Sequence, residues 1–205
     1  MNLLVVDNFD SFTYMLVDYL QQAGANCRVV RNNEPVRCLF DNSVDAVVLS
    51  PGPGAPRQAG QLMEVINYYH QRVPMLGICL GHQALGTFFG AALTQAERPM
   101  HGKVSTIRLL TDDVLWTGLP IEFDVTRYHS LVLTDLTQSL VKLAVTDQQE
   151  VMALRHQTWP LWGVQFHPEA ALTQYGLQIV KNWIDFVLFT RNKNYSATSL
   201  TAQYV

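Results

Sequence analysis

The chain has 205 residues, 48% of them hydrophobic and 15% charged, with a net charge of −3. That composition suits one globular domain of ordinary size, and it excludes a disordered chain. No basic cluster suggests nucleic acid, and no apolar run reaches the ~20 residues that span a bilayer.

The first half alternates strands and helices. Leu3-Leu4-Val5-Val6 is a short apolar run, as expected of a strand buried on both faces. The N-terminus lacks a charged segment and a cleavage site, so it reads as a strand and not as a signal peptide. Asp10 or Ser11 caps a helix running to about Ala23, with Phe12, Met15, Leu16, Tyr19 and Leu20 at helical spacing and Gly24 placed to stop it. Cys27-Arg28-Val29-Val30 and Ala46-Val47-Val48-Leu49 are the next strands. Three prolines between Ser50 and Pro56 impose a loop. A helix from Gly60 to Tyr69 follows, then a strand, Pro74-Met75-Leu76, then Gly77-Ile78-Cys79-Leu80-Gly81-His82-Gln83, then a helix through Ala84–Phe89. Alternating βαβα with apolar strands predicts an α/β fold, an open and mostly parallel sheet flanked by helices.

Past Gly90 the pattern changes. Residues 104–109, 123–128 and 151–155 alternate as half-exposed antiparallel strands do, forming a smaller antiparallel region. Leu161–Phe166 is a further strand, ended by His167-Pro168-Glu169. The final helix spans Thr173 to Leu188, with Leu177, Val180, Ile184 and Val187 on one face. Residues 1–189 read as one domain, and 190–205 as a polar tail, frayed or loosely docked.

The chemistry concentrates at strand ends. Cys79 has glycines at i−2 and i+2 between a strand and a helix, the form of a nucleophile elbow. Its place at a helix N-terminus favours thiolate. The loop at 51–56 and His167-Pro168-Glu169 also follow strands, and open α/β sheets bind ligands at the carboxyl ends of their strands. A cysteine, a histidine and a carboxylate on one rim are the parts of a nucleophilic triad. Cys79 attacks a carbonyl carbon, His167 moves the proton, and Glu169 orients the ring. The backbone N–H of Leu80 and a glycine N–H from the Gly52-Pro53-Gly54 loop are the candidate oxyanion donors, since glycine lets a ligand approach the backbone closely. Each segment alone is a weak signal, because a free cysteine more often packs as a small hydrophobe. No HExxH or paired Cys/His spacing suggests zinc, and no cofactor is expected. Cys27 and Cys38 read as packing residues, and an odd cysteine count without CxxC fits a reducing cytoplasm. His70 and His156 sit in polar contexts and read as solvated.

These segments together resemble the class I, or triad, glutamine amidotransferases, whose fold is flavodoxin-like. Within that group the chain looks like the small glutaminase subunits of anthranilate synthase and of aminodeoxychorismate synthase. The matching pieces are Asp7 to Tyr14, Ser50 to Gly54, Gly77 to Gln83, His101-Gly102-Lys103, Arg127-Tyr128-His129-Ser130-Leu131 and Gly163 to Glu169, in family order.

The resemblance implies that Cys79, His167 and Glu169 are catalytic. It implies that Gly52–Gly54 and Leu80 hold the oxyanion, and that Gln83, Ser130 and Leu131 hold L-glutamine. His101, Gly102 and Lys103 match a segment near the contact with the synthase subunit; solvated surface residues are an equal reading of that stretch. The implied reaction is glutamine hydrolysis through a Cys79 thioester, with ammonia passed to a chorismate-binding partner of either the tryptophan or the folate branch. Two rivals use the same fold: a stand-alone cysteine hydrolase of γ-glutamyl compounds, and a catalytically silent interaction module. Two positions depart from the family pattern. Ala170 stands where a serine is usual, removing a hydroxyl able to cap the following turn, and Phe9 replaces a frequent tyrosine.

Overall fold

A computed structural model describes residues 1–192. Eleven strands and five α-helices occupy them, in the order β1 (Asn2–Asp7), α1 (Thr13–Gln22), β2 (Asn26–Arg31), α2 (Val36–Leu39), β3 (Ala46–Leu49), α3 (Leu62–Tyr69), β4 (Met75–Ile78), α4 (Leu80–Phe88), β5 (Ala92–Gln95), β6 (Lys103–Leu109), β7 (Glu122–Arg127), β8 (Leu131–Thr134), β9 (Leu140–Thr146), β10 (Val151–His156), β11 (Leu161–Val164) and α5 (Gly176–Asn192).

Nine strands form one sheet in the order β2-β1-β3-β4-β11-β10-β9-β6-β7. The first five are parallel, and their 2-1-3-4-5 arrangement is the flavodoxin-like winding. From β11 onward the pairs are antiparallel. β5 and β8 make a separate antiparallel pair. The expected open, mostly parallel sheet with a smaller antiparallel region is therefore present.

The inner parallel strands β1, β3, β4 and β11 are, Asp7 apart, apolar along their buried lengths because helices cover both faces, whereas the edge strand β2 carries polar residues and is partly exposed. Side chains alternate across the sheet, so Leu3, Val5, Val48 and Ile78 meet α1 and α5 through Leu16, Leu20, Val180 and Trp183. Leu4, Val6, Val47 and Met75 meet α3 and α4 through Leu62, Ile66, Ala84 and Leu85. An insertion at 113–117 is fastened to α5 by Asn182, whose amide donates to the carbonyls of Leu115 and Thr117, both at 2.9 Å.

Several boundaries differ from the sequence expectation. α1 starts at Thr13, not at 10 or 11, because Asp10 folds the preceding turn: its carboxylate accepts from the Phe12 N–H at 2.8 Å. Met15 faces solvent. α3 starts at Leu62, since Gly60 is left-handed and packed against Asn32. α4 begins four residues before Ala84, at Leu80. α5 begins at Gly176 and not at Thr173, because residues 167–173 fold into turns: the Ala170 N–H donates to His167 O and the Thr173 N–H to Ala170 O. Its buried face is Ile179, Val180, Trp183, Ile184 and Val187, and Leu177 is exposed. α5 also runs through 190–192, which belong to the helix and not to a tail; the rest of the expected tail lies outside the described residues.

β5, β8 and β9 were not expected from the sequence. β10 is mostly buried and not half-exposed, since it sits between β9 and β11 with Leu154 packed beneath Leu133 and Phe89. His156 is buried, stacked on Trp159 at 4.5 Å and against Phe89; burial lowers its imidazole to about 4. His70 packs on the rings of Phe88 and Trp159. Neither histidine is a solvated surface residue. Cys27 is half-buried at the core margin, and burial pushes its thiol up to about 11. Cys38 is half-buried against the opposite core. No helix among the described residues is long and apolar enough to cross a membrane.

Candidate active site

The carboxyl ends of β1, β3, β4 and β11 lie side by side, because those strands are neighbours in near-level register. Each end releases one segment of the site: 8–12, 50–54, 79–83 and 165–169.

Cys79 is the hinge between β4 and α4, with φ 50° and ψ −99°. A non-glycine residue takes up such a backbone only where its surroundings impose it. Here its N–H is held by the Val164 carbonyl at 2.8 Å and its carbonyl by the Gln83 N–H at 3.0 Å. The flanking glycines let the chain double back. A Cβ on Gly77 would lie 2.4 Å from the Gly81 carbonyl carbon, and one on Gly81 would lie 2.3 Å from the Leu49 carbonyl oxygen. Cys79 is thereby presented at the start of α4, whose first N–H groups have no partner within the helix. The Leu80 N–H is one of them. Gly52 packs against Leu80, since a Cβ there would lie 2.6 Å from the Leu80 side chain and from Asn8. Pro53 and Gly54 extend the loop outward into solvent. The loop is anchored from β1: Asn8 donates its backbone N–H to Ser50 Oγ at 2.9 Å and its amide to Ser50 O at 2.8 Å.

His167 and Glu169 follow β11. The strand stops at Val164, two residues earlier than expected, and the chain bends so that His167 Nδ1 and Glu169 Oε1 lie 2.7 Å apart. Both side chains are buried, Glu169 completely. Burial alone would lower the imidazole, but its interactions with Cys79 and Glu169 outweigh that and raise it to about 10. The Cys79 sulfur, at a helix N-terminus, therefore sits beside a ring that favours the protonated form. The ring packs against Phe12 at 5.3 Å and Tyr128 at 5.1 Å, both edge-on, and those two rings touch each other at 5.0 Å. Near Ala170, the Thr173 hydroxyl donates to His167 O and accepts the Thr126 N–H at 2.9 Å, which fastens the turn after His167.

The structure thus brings Cys79, His167, Glu169, Leu80 and Gly52 to one rim. Gln83 is buried on α4, its amide nitrogen donating to Leu131 O at 3.0 Å and to Gln165 Oε1 at 3.1 Å. Leu131 is half-buried and Ser130 exposed beside it. His101 and Lys103 are exposed at the start of β6, away from the bonds that hold Cys79. Gly102 between them is left-handed, with the Tyr128 ring 3.4 Å from where its Cβ would stand. That contact joins the 101–103 segment to the ring beside His167. Phe9, exposed and left-handed, lies under the Arg31 guanidinium at 5.3 Å.

Sequence reasoning did not single out Asn8, Phe12, Tyr128, Thr173 or Gln165 individually, although most lie in the quoted motifs. Their contacts span up to 86 residues along the chain, which local pattern does not encode. Among the described residues, no group of three or more His, Cys, Asp or Glu is placed to hold a metal ion.

A cysteine at a left-handed elbow, a buried His–Glu pair and the first N–H groups of a helix are the groups that acyl transfer requires. Comparison with known proteins defines the class. The family profile described as Glutamine amidotransferase class-I matches residues 4–186. The chain belongs to the class I glutamine amidotransferase family. It is 44% identical over 192 residues to the anthranilate synthase component 2 of Thermus thermophilus, covering 90% of this chain and 92% of that one. It is 39% identical over 186 residues to the aminodeoxychorismate/anthranilate synthase component 2 of Bacillus subtilis, covering 89% and 95%. Among solved structures it resembles a putative GMP synthase protein from Thermoplasma acidophilum, with a TM-score of 0.85 and 28% identity over 95% of this chain and 97% of that one.

Proposed function

We propose that this chain is the glutaminase subunit of a chorismate-aminating synthase, with Cys79 as nucleophile. The observation that carries this reading is the convergence of Cys79, at a strained strand–helix turn, with a His167–Glu169 pair 2.7 Å apart. The component 2 relatives support glutamine as substrate and a synthase chain as partner.

On this reading Cys79 Sγ attacks the side-chain carbonyl carbon of glutamine. The Leu80 N–H and a glycine N–H of the 52–54 loop hold the oxyanion; one such donor is worth roughly 10²–10³ in rate. His167, charged and oriented by Glu169, gives its proton to the departing nitrogen, and ammonia leaves. A water molecule then loses a proton to His167 and attacks the thioester, releasing glutamate and restoring the thiol. Gln83, Ser130 and Leu131 lie along the substrate side. His101, Gly102 and Lys103 form part of the face that meets the synthase, and the Gly102–Tyr128 contact supports that assignment by tying the segment to the ring beside His167. Free thiols at Cys27, Cys38 and Cys79 suit a reducing cytoplasm.

The test mixes the purified chain with candidate synthase subunits. Glutamine-dependent conversion of chorismate to anthranilate or to aminodeoxychorismate is the expected result, and the product identifies the branch. Full glutamine turnover without any synthase, and no complex on size exclusion, would favour the stand-alone hydrolase instead.

A further inference from the structure

We propose that Gln165 is a positioning residue for the Cys79 sulfur, fixed in its orientation by hydrogen bonds that run through Gln83 to the Leu131 carbonyl. The proposal rests on the reading of Cys79 as nucleophile.

Gln165 is completely buried just past β11, and its backbone N–H is pinned to Met152 O at 2.8 Å. Its amide nitrogen lies 3.6 Å from Cys79 Sγ, within reach of an N–H···S hydrogen bond. A donor aimed at sulfur stabilises thiolate over thiol, because the bond to the anion is the stronger one.

An amide can turn end for end, so the direction of this bond needs a cause. The Leu131 carbonyl supplies one, since it can only accept; His129, and through it Arg127, holds the same carbonyl. Arg127 is an obligate donor, and its Nε lies 3.1 Å from His129 Nε2, so that nitrogen must accept. A neutral His129 then carries its proton on Nδ1, which donates to Leu131 O at 3.0 Å. Burial and the Arg127 charge push this imidazole down to about 3, which keeps it neutral at working pH. Leu131 O is acceptor only, so the end of the Gln83 amide that faces it at 3.0 Å is the nitrogen. The same nitrogen faces Gln165 at 3.1 Å, so the Gln165 atom there is the oxygen. The NH₂ end of Gln165 is left pointing at sulfur. Arg127 is itself held by Glu150 and by Ser105 Oγ at 3.2 Å. Arg127, His129, Gln83 and Gln165 are all buried, so water does not compete for these bonds.

The line also has a direction in the fold. Arg127 ends β7 opposite Lys103 on β6, and the Met100 N–H donates to His129 O at 2.9 Å. Its outer end thus lies under the 100–103 segment, in which His101 and Lys103 are exposed.

The test follows alkylation of Cys79 by iodoacetamide against pH in the full chain, reading the Cys79 peptide by mass spectrometry so that Cys27 and Cys38 do not interfere. The titratable groups against the sulfur are His167 and, behind it, Glu169; both are kept in every variant. Gln165→Met removes the donor at similar length, and Gln165→Glu keeps the shape while setting carboxylate oxygen against sulfur. Each is expected to raise the midpoint of the alkylation profile, Glu more than Met. Each should lower kcat for glutamine about ten- to hundredfold in the synthase complex, with KM changed little. Chemical denaturation identifies any variant that is not folded; Gln165→Glu, the isosteric change, is the decisive one if Gln165→Met is unstable. An unchanged midpoint and unchanged kcat in a folded Gln165→Glu protein would overturn the proposal. Cys79→Ser is run in parallel: full activity in that protein would overturn the nucleophile reading itself, whereas its inactivity beside wild-type-like Gln165 variants would overturn this proposal alone.

Discussion

His167 Nδ1 and Glu169 Oε1 meet at 2.7 Å across a two-residue bend, and neither side chain reaches solvent to any useful degree. A carboxylate in that position orients the ring and stabilises its charged form. Glu169→Gln keeps the volume and removes the charge. It should lower glutaminase kcat by about 10²–10⁴ while leaving the fold intact. The same variant should lower the His167 pKa, moving the alkaline limb of the rate profile to lower pH. Steady-state kinetics from pH 6 to 10 checks both.

The ring walls give a second prediction. Phe12 and Tyr128, in contact with each other, both meet His167 edge-on, and Phe12 lies in the turn before α1, not in the core. Phe12→Ala leaves the imidazole free to tilt by about an ångström, a displacement that costs up to about 10² in rate. Initial-rate assays should show the loss in kcat. Urea unfolding should show a stability change smaller than the 3–5 kcal/mol typical of a fully buried Phe→Ala substitution.

Much of this site was legible because its chemical groups follow strands directly. Cys79, His167 and Glu169 each sit in a short segment whose proline or glycine content marks the strand end. The loop at Gly52 is equally marked by its prolines. What escaped was non-local. His156 has polar neighbours in sequence, but its burial comes from Phe89, far away in the chain, and from Trp159, brought back over it by a turn. β8 and β9 are separated by a turn in which Asp135 is left-handed, and their apolar runs resemble many other short segments. Gln165 reads as one more residue of a strand, because its partners, Gln83 and Cys79, are supplied by another element.

Buried histidines set the acid limb of stability. Burial lowers His82 and His156 to about 4, and burial with the Arg127 charge lowers His129 to about 3. Unfolded, all three titrate near 6.5, so the unfolded chain binds more protons below that pH. Their stabilisation is present above about pH 6.5 and is lost as pH falls toward their folded values, at a slope of up to about 1.4 kcal/mol per pH unit for each. His167 has the opposite sign. Its folded value is raised to about 10, so its contribution is present below about 6.5 and is lost as pH climbs toward 10. Urea midpoints should therefore be highest near neutrality and fall on both sides. The interval from pH 6.5 to 5.5 isolates the histidines, because carboxylates titrate lower. A flat midpoint across that interval would contradict the assignment, and His129→Asn should reduce the slope.

The role of Cys79 as nucleophile is tested most sharply by its fate during turnover. The synthase complex is mixed with isotopically labelled glutamine, quenched in acid, and the Cys79 peptide is examined by mass spectrometry. A transient γ-glutamyl thioester on Cys79 should form and decay at rates consistent with kcat. Cys79→Ala should give no adduct and release no ammonia above background. Glutamate and ammonia released by Cys79→Ala at the normal rate would show that the cysteine is not the nucleophile.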